Sequence, residues 1–139
     1  KANGCIPSRL LIKRSVTELS EEEAKTMNVP TGSKAVLIER VDLADGIPMI
    51  YESNLFPYPK YEFLLDESLD IQVKGSRNSY LELVRASGSL AKHLRVTNGE
   101  PLFYLYSEIF DTDYNLVHIC RDYIRGEQYR FYMDDYTRP

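Results

Sequence analysis

Apolar residues cluster on either side of one dipeptide. Val36, Leu37, Ile38, Val41 and Leu43 precede Asp45-Gly46, and Ile47, Met49, Ile50, Leu55 and Phe56 follow it. Asp-Gly between apolar runs predicts a hairpin over residues 35–56, because Gly takes positive φ without steric cost. Two charged residues, Arg40 and Glu52, interrupt the strands of this hairpin.

The same reading extends along the chain. Residues 8–16, with Leu10-Leu11-Ile12, predict a strand. Residues 19–28 predict a helix that opens on a capping box, Ser20 with Glu23, and on an acidic first turn suited to the helix dipole. Val29-Pro30-Thr31-Gly32 stops it. Pro57 and Pro59 end the hairpin, and a short helix is expected over 60–69. Residues 71–75 read as a strand end and 79–84 as a strand. A second short helix is expected over 87–95, stopped by Asn98-Gly99. Strands follow over 102–110 and 116–124, joined by a turn at Asp111-Thr112-Asp113. Gly126 interrupts, and 129–133 reads as a last, aromatic strand.

The two helices belong to a repeat. Ser20, Ala24, Lys25, Met27, Val29 and Gly32 match Ser87, Ala91, Lys92, Leu94, Val96 and Gly99 at one constant interval. After a slip of one residue, Val36 and Leu37 match Leu102 and Phe103, Asp42 matches Glu108, and Asp45 matches Asp111. Two copies are too few for a solenoid. They predict an α+β domain of two related halves sharing one antiparallel sheet. On the slipped alignment Arg40 corresponds to Tyr106 and Glu52 to His118. With hairpin loops of odd length, all four would share one sheet face, because side chains alternate along a strand. A cleft between the halves is where a small molecule is expected.

Composition narrows the function. The 139 residues make one domain able to bury a core. A net charge of −4 with scattered Lys and Arg argues against a nucleic-acid surface. Cys5 and Cys120 lie far apart in sequence, with no CxxC and no Cys/His cluster, which points to a reduced, cytoplasmic setting. No stretch has the length of a membrane span. The chain starts at Lys1 rather than Met, so a longer parent protein is expected.

Each candidate has a plainer alternative. Arg40 and Glu52 suit a cross-strand ion pair, contributing about 0.2–1 kcal/mol. The pattern alone favours that pair; the functional alternative is a guanidinium that grips a carboxylate or phosphate, with the Glu orienting it or accepting a ligand hydroxyl. His118 has no second His, Cys or carboxylate at ligand spacing, so no zinc site is read there. Cys120, two residues on, suggests a Cys–His nucleophile, but the apolar pattern around it reads as buried structure. Ser87 to Ser89 precede a helix and read as caps rather than as an anion site.

Taken in order, Ala24…Val29-x-x-Gly32, Ile38-Glu39-Arg40-Val41, Asp45-Gly46-Ile47-Pro48-Met49…Glu52-Ser53 and Tyr123-Ile124-Arg125-Gly126-Glu127-Gln128-Tyr129-Arg130-Phe131 resemble the effector-binding (UTRA) domain of HutC-type regulators in the GntR superfamily. The resemblance covers nearly the whole chain, residues 1–139. It implies a chorismate lyase-like fold, a homodimer, and DNA binding through an N-terminal winged-helix domain absent from this chain. It also implies a small effector, often a sugar phosphate or an amino-acid-related metabolite. In phosphosugar-binding members Arg40 matches an arginine that contacts the ligand phosphate, and Glu52 matches a ligand-contacting glutamate.

The chain departs from that pattern at Asp42, where a second arginine is usual, at His118, which replaces a glutamate, at Ile124, which replaces an aromatic, and at Glu127-Gln128 in place of Asp-Arg. A Ser-Leu-Tyr helix of the family is missing, so a shortening or a gap is expected near residues 66–71. The family's loop before the first strand is largely absent as well.

The expected function is therefore metabolite sensing without catalysis or cofactor, with Arg40, Glu52, Tyr106 and His118 as ligand contacts. Two alternatives stay open. One is a lyase on this fold acting on an aromatic carboxylate. The other is a dimerisation module with a vestigial pocket.

Overall fold

The computed structural model describes residues 6–66 and 71–126. Two halves run in the same order, strand, helix, strand, strand. The first comprises β1 (Pro7–Glu18), α1 (Glu21–Met27), β2 (Lys34–Ala44) and β3 (Ile47–Pro57). The second comprises β4 (Gly75–Arg85), α2 (Gly88–Leu94), β5 (Pro101–Phe110) and β6 (Leu116–Arg125). All pair antiparallel in one six-stranded sheet of order β1-β2-β3-β6-β5-β4, so β3 and β6 join the halves at its centre. This is a chorismate lyase-like α+β fold, as expected.

Local chemistry accounts for most boundaries. Asp45 and Gly46 both have positive φ, 53° and 79°, and form the two-residue turn between β2 and β3. The Asp45 carboxylate also accepts a hydrogen bond from the Ile6 amide at 2.8 Å, which ties down the start of β1. The capping box at α1 is complete: Ser20 Oγ accepts from the Glu23 amide at 3.0 Å, and Glu23 Oε1 accepts from the Ser20 amide at 2.9 Å. Ser87 stands in the corresponding place before α2, but its side chain makes no capping bond.

The helix expected over 60–69 shortens to a single 3-10 turn, Glu62–Leu65. Residues 71–74 are irregular, and β4 begins at Gly75, earlier than expected. The gap expected near 66–71 falls mainly, and the strand expected over 129–133 entirely, outside the described residues.

Both helices cover the same face of the sheet. Ala24 and Met27 of α1 pack on Ala35, Leu55 and Ile119; Ala91 and Leu94 of α2 pack on Val41, Tyr51 and Leu102. Side chains at alternate positions project to the other face. There Val36, Ile38 and Phe56 meet Tyr61 and Leu64 of the 3-10 turn and the flanking chain. The rest of that helix-free face is where polar residues gather.

The repeat is real, but its register differs from the expected one. Glu18 faces Lys34 across β1–β2, and Arg85 faces Pro101 across β4–β5. Val16 faces Val36, and Leu83 faces Phe103. The interval that separates Ser20 from Ser87 carries each first pair onto the second, so no residue is slipped between helix and strand. The structural counterpart of Arg40 is Ser107 rather than Tyr106. Arg40 faces Glu52 on β3, and Ser107 faces Cys120 on β6.

Candidate functional site

One residue of slip inverts a face, and Tyr106 shows it. Tyr106 faces Arg121 and packs toward α1 on the helix side. His118 faces Ile109 and lies on the helix-free side with Arg40 and Glu52. The expected grouping of four is corrected to three. The cause is a register shift between Ile109 and Phe110, past which β5 and β6 pair so that Tyr106 and His118 fall on opposite faces. Tyr106 is engaged locally. Its hydroxyl donates to Glu108 Oε2 at 3.0 Å, and its ring stacks on Tyr80 at 5.0 Å.

On the helix-free face a cavity of about 650 Å³ opens over the centre of the sheet. Arg9 and Leu11 of β1 stand at one side and Ile109 of β5 at the other, with Arg40, Asn54 and His118 among the floor residues. Arg9 is held by Asp42, with Nε 2.7 Å from Oδ1, and that bond raises its pKa further. Asp42, which stands where the family has a second arginine, thus neutralises a cation at the cavity's edge.

At the floor, Arg40 Nη2 donates to Glu52 Oε1 at 2.9 Å. The cross-strand ion pair read from the sequence is therefore present, and it is partly buried. Burial opposes the Glu52 charge. Hydrogen bonding and charge from Arg40, with a further bond from Asn54, outweigh burial and hold its carboxyl below the usual range.

Three residues that sequence reasoning did not bring into the site complete this floor. Asn54 is 1% exposed and stands opposite Cys120 across β3–β6. Cys120 Sγ lies 3.6 Å from Glu52 Oε2 and 3.8 Å from Asp122 Oδ1. Asp122 faces Glu52 across the same ladder. Burial, followed by the Glu52 charge and hydrogen bond, pushes the Asp122 carboxyl up to about 7. Burial, with Asp122 and Glu52, also pushes the Cys120 thiol up. A thiol so held is protonated and no nucleophile at neutral pH, consistent with its reading as buried structure. Only the pairing of β3 with β6 brings these residues together, and no short-range spacing signals that pairing.

His118 stacks on Phe56 with ring centroids 4.5 Å apart. Burial lowers its pKa to about 4, so the ring is neutral at pH 7.

Three buried polar atoms on this floor have no hydrogen-bond partner: Arg40 Nε, Asn54 Oδ1 and His118 Nδ1. All three residues line the one cavity. Each unmet group costs roughly 1–3 kcal/mol. A polar ligand that satisfies them recovers that cost on binding.

A second, shallower groove of about 460 Å³ lies on the helix face, lined by Glu39, Tyr51, Ser53, Ser89, Arg121 and Tyr123. Four of its polar side chains are already paired. Tyr51 and Ser53 hydroxyls donate to the Glu39 carboxylate at 2.7 and 3.2 Å, and Arg121 is bonded to Glu23 at 3.0 Å.

Known proteins agree with this architecture. The effector domain of PhnF from Mycobacterium smegmatis superposes with a TM-score of 0.82 at 22% identity, covering 93% of this chain and 86% of that one. A GntR-family transcriptional regulator from Enterococcus faecalis V583 gives 0.75 at 20%, covering 95% and 100%. The C-terminal domain of YurK from Bacillus subtilis gives 0.80 at 14%, covering 91% and 95%. No curated protein sequence matches the chain. The UTRA domain family matches residues 2–130, nearly the whole chain. By that match the chain belongs to the UTRA domain family, and it shares its fold with domains of GntR-family transcriptional regulators.

Proposed function

We propose that this domain senses a small polar metabolite for a HutC-type transcriptional regulator, without catalysing its turnover. The observation that carries this reading is the set of three unpartnered buried atoms, on Arg40, Asn54 and His118, around one cavity. The ligand is a polyhydroxylated or anionic molecule, such as a sugar derivative or an amino-acid-related compound. Arg40 donates from Nε, the Asn54 carbonyl accepts, and the neutral His118 ring takes whichever role its tautomer allows. Glu52 holds the guanidinium in place. Tyr106, on the other side of the sheet, takes no part.

The regulator works as a cytoplasmic homodimer that meets DNA through a winged-helix domain outside this chain. The effector acts by binding one arrangement of the dimer more tightly than the other, since only differential affinity shifts an equilibrium.

A thermal-shift screen of phosphorylated sugars, free sugars, amino acids and carboxylates tests the reading. A hit should stabilise the wild-type domain, and Arg40→Ala should remove the shift while the variant stays folded by circular dichroism. Undiminished binding to Arg40→Ala, measured by calorimetry, would overturn the site. Turnover of the hit by the isolated domain would overturn the non-catalytic reading.

A further inference from the structure

The polar floor also carries a chemistry that metabolite sensing does not use. Glu52, Cys120 and Asp122 each offer a donor atom, and these atoms lie within 4.8 Å of one another. The sulfur stands 3.6 Å from one carboxylate oxygen and 3.8 Å from the other. In a tetrahedral zinc site, with Zn–S near 2.3 Å and Zn–O near 2.0–2.2 Å, sulfur and oxygen ligands stand roughly 3.5 Å apart. The three side chains therefore hold the spacing of ligands around such an ion.

A cluster of acids alone does not make a site, but a separate observation points the same way. Asn54 is 1% exposed, and its Oδ1 has no partner. It stands directly across the ladder from Cys120, and its side chain is bonded to Glu52. A buried carbonyl oxygen without a donor, beside a thiol and two carboxyl groups, is an open ligand position. Arg40 engages Glu52 through Oε1, while Oε2 is the oxygen that faces Cys120. The guanidinium thus orients the carboxylate without occupying its ligand atom.

We propose that Glu52, Cys120 and Asp122, with the Asn54 carbonyl as fourth donor, bind a thiolate-seeking divalent cation of the zinc type. Binding forms one metal–sulfur bond and three metal–oxygen bonds. The Cys120 thiol and the protonated fraction of Asp122 release their protons to solvent, and no redox step is involved. The metal shares the Asn54 carbonyl and Glu52 with the proposed metabolite site, whereas Cys120 and Asp122 serve the metal alone, so variants at those two residues test the metal without regard to the effector.

Titrating the whole chain with Co²⁺ and Zn²⁺ tests it. Co²⁺ should give a thiolate-to-cobalt charge-transfer band that saturates at one ion per chain. Zn²⁺ calorimetry in two buffers of different ionisation heat should show proton release. Cys120→Ser should abolish the band, whereas Cys5→Ser, which removes the other cysteine, should retain it. Asp122→Asn should weaken Zn²⁺ binding at least tenfold. Absence of one-to-one binding, a band that persists in Cys120→Ser, or an affinity unchanged by Asp122→Asn would each overturn the site. If Cys120→Ser fails to fold, the Cys5→Ser and Asp122→Asn arms decide. Metabolite binding is read separately, with a chelator present.

Discussion

Glu52 and Asp122 face each other across the β3–β6 ladder, yet they hold their protons differently. Arg40 keeps Glu52 ionised, while burial and Glu52 itself hold Asp122 near neutrality at about 7. A carboxyl group raised in the folded state binds its proton more tightly there than in the unfolded chain. Its contribution to stability is full below the unfolded value of 3.8 and is lost as pH rises through about 7. Asp122→Asn, which mimics the protonated acid, should therefore stabilise the domain at pH 8 by roughly 1–3 kcal/mol and have little effect at pH 4. Urea unfolding at the two pH values checks this; equal effects at both would refute it.

His118 has the opposite sign. Burial favours its neutral form, with a folded pKa of about 4 against 6.5. That stability is present above the unfolded value and is lost as pH falls from about 6.5 toward 4. His118→Phe keeps an aromatic ring against Phe56 and should flatten this acid-side loss. Melting temperature measured between pH 7 and pH 4.5 provides the check, with the variant's curve expected to fall less steeply.

Arg40→Ala leaves Glu52 partly buried without its cation, which should cost about 1–3 kcal/mol. Removing the charge on both sides, as Arg40→Met with Glu52→Gln, should recover much of that loss, because the penalty lies in the stranded partner. Chemical denaturation of the single and double variants separates the two cases. A double variant less stable than Arg40→Ala would contradict the argument.

The two helix starts make a matched pair. Ser20→Ala removes a complete capping box and should cost about 1 kcal/mol. Ser87→Ala removes a hydroxyl that caps nothing and should change stability by under about 0.5 kcal/mol. Thermal melts of the two variants side by side decide the matter.

Gly126 lies against an aromatic ring. A Cβ there would stand 2.8 Å from Phe103 Cε2 and 3.0 Å from Cδ2, too close for either to stay. Gly126→Ala should destabilise the domain by about 1–3 kcal/mol. Adding Phe103→Leu should recover part of it, as a denaturant series on the single and double variants would show.

The hairpin, the capping box of α1 and the duplicated order were legible in the chain, because each rests on local chemistry: Asp45-Gly46 dictates a turn, Ser20 with Glu23 a helix start, whereas Ser87, read as a cap, makes no capping bond. The Arg40–Glu52 pair was legible too, being a contact within one hairpin. The Tyr106 assignment failed for a related reason. Alternation makes the face of a residue depend on register, and the shift between Ile109 and Phe110 that sets the β5–β6 pairing has no mark in the apolar pattern. Asn54, Cys120 and Asp122 were hidden differently. Cys120 read correctly as buried, but its neighbours come from a strand in the other half, and only the sheet's central ladder sets them beside it.

Along one side of the cavity stands β1, and among the described residues β1 is hydrogen-bonded to β2 alone. Its ladder is further weakened by a register shift between Leu11 and Lys13. A strand tethered along one edge opens more readily than one clasped on both, so its amides exchange with solvent sooner than those of β3 or β6. Whatever fills the space beneath Arg9 and Leu11 fastens that strand down. Occupancy of the cavity is thus written into the breathing of the sheet's outermost strand, where deuterium uptake reads it without knowledge of the ligand.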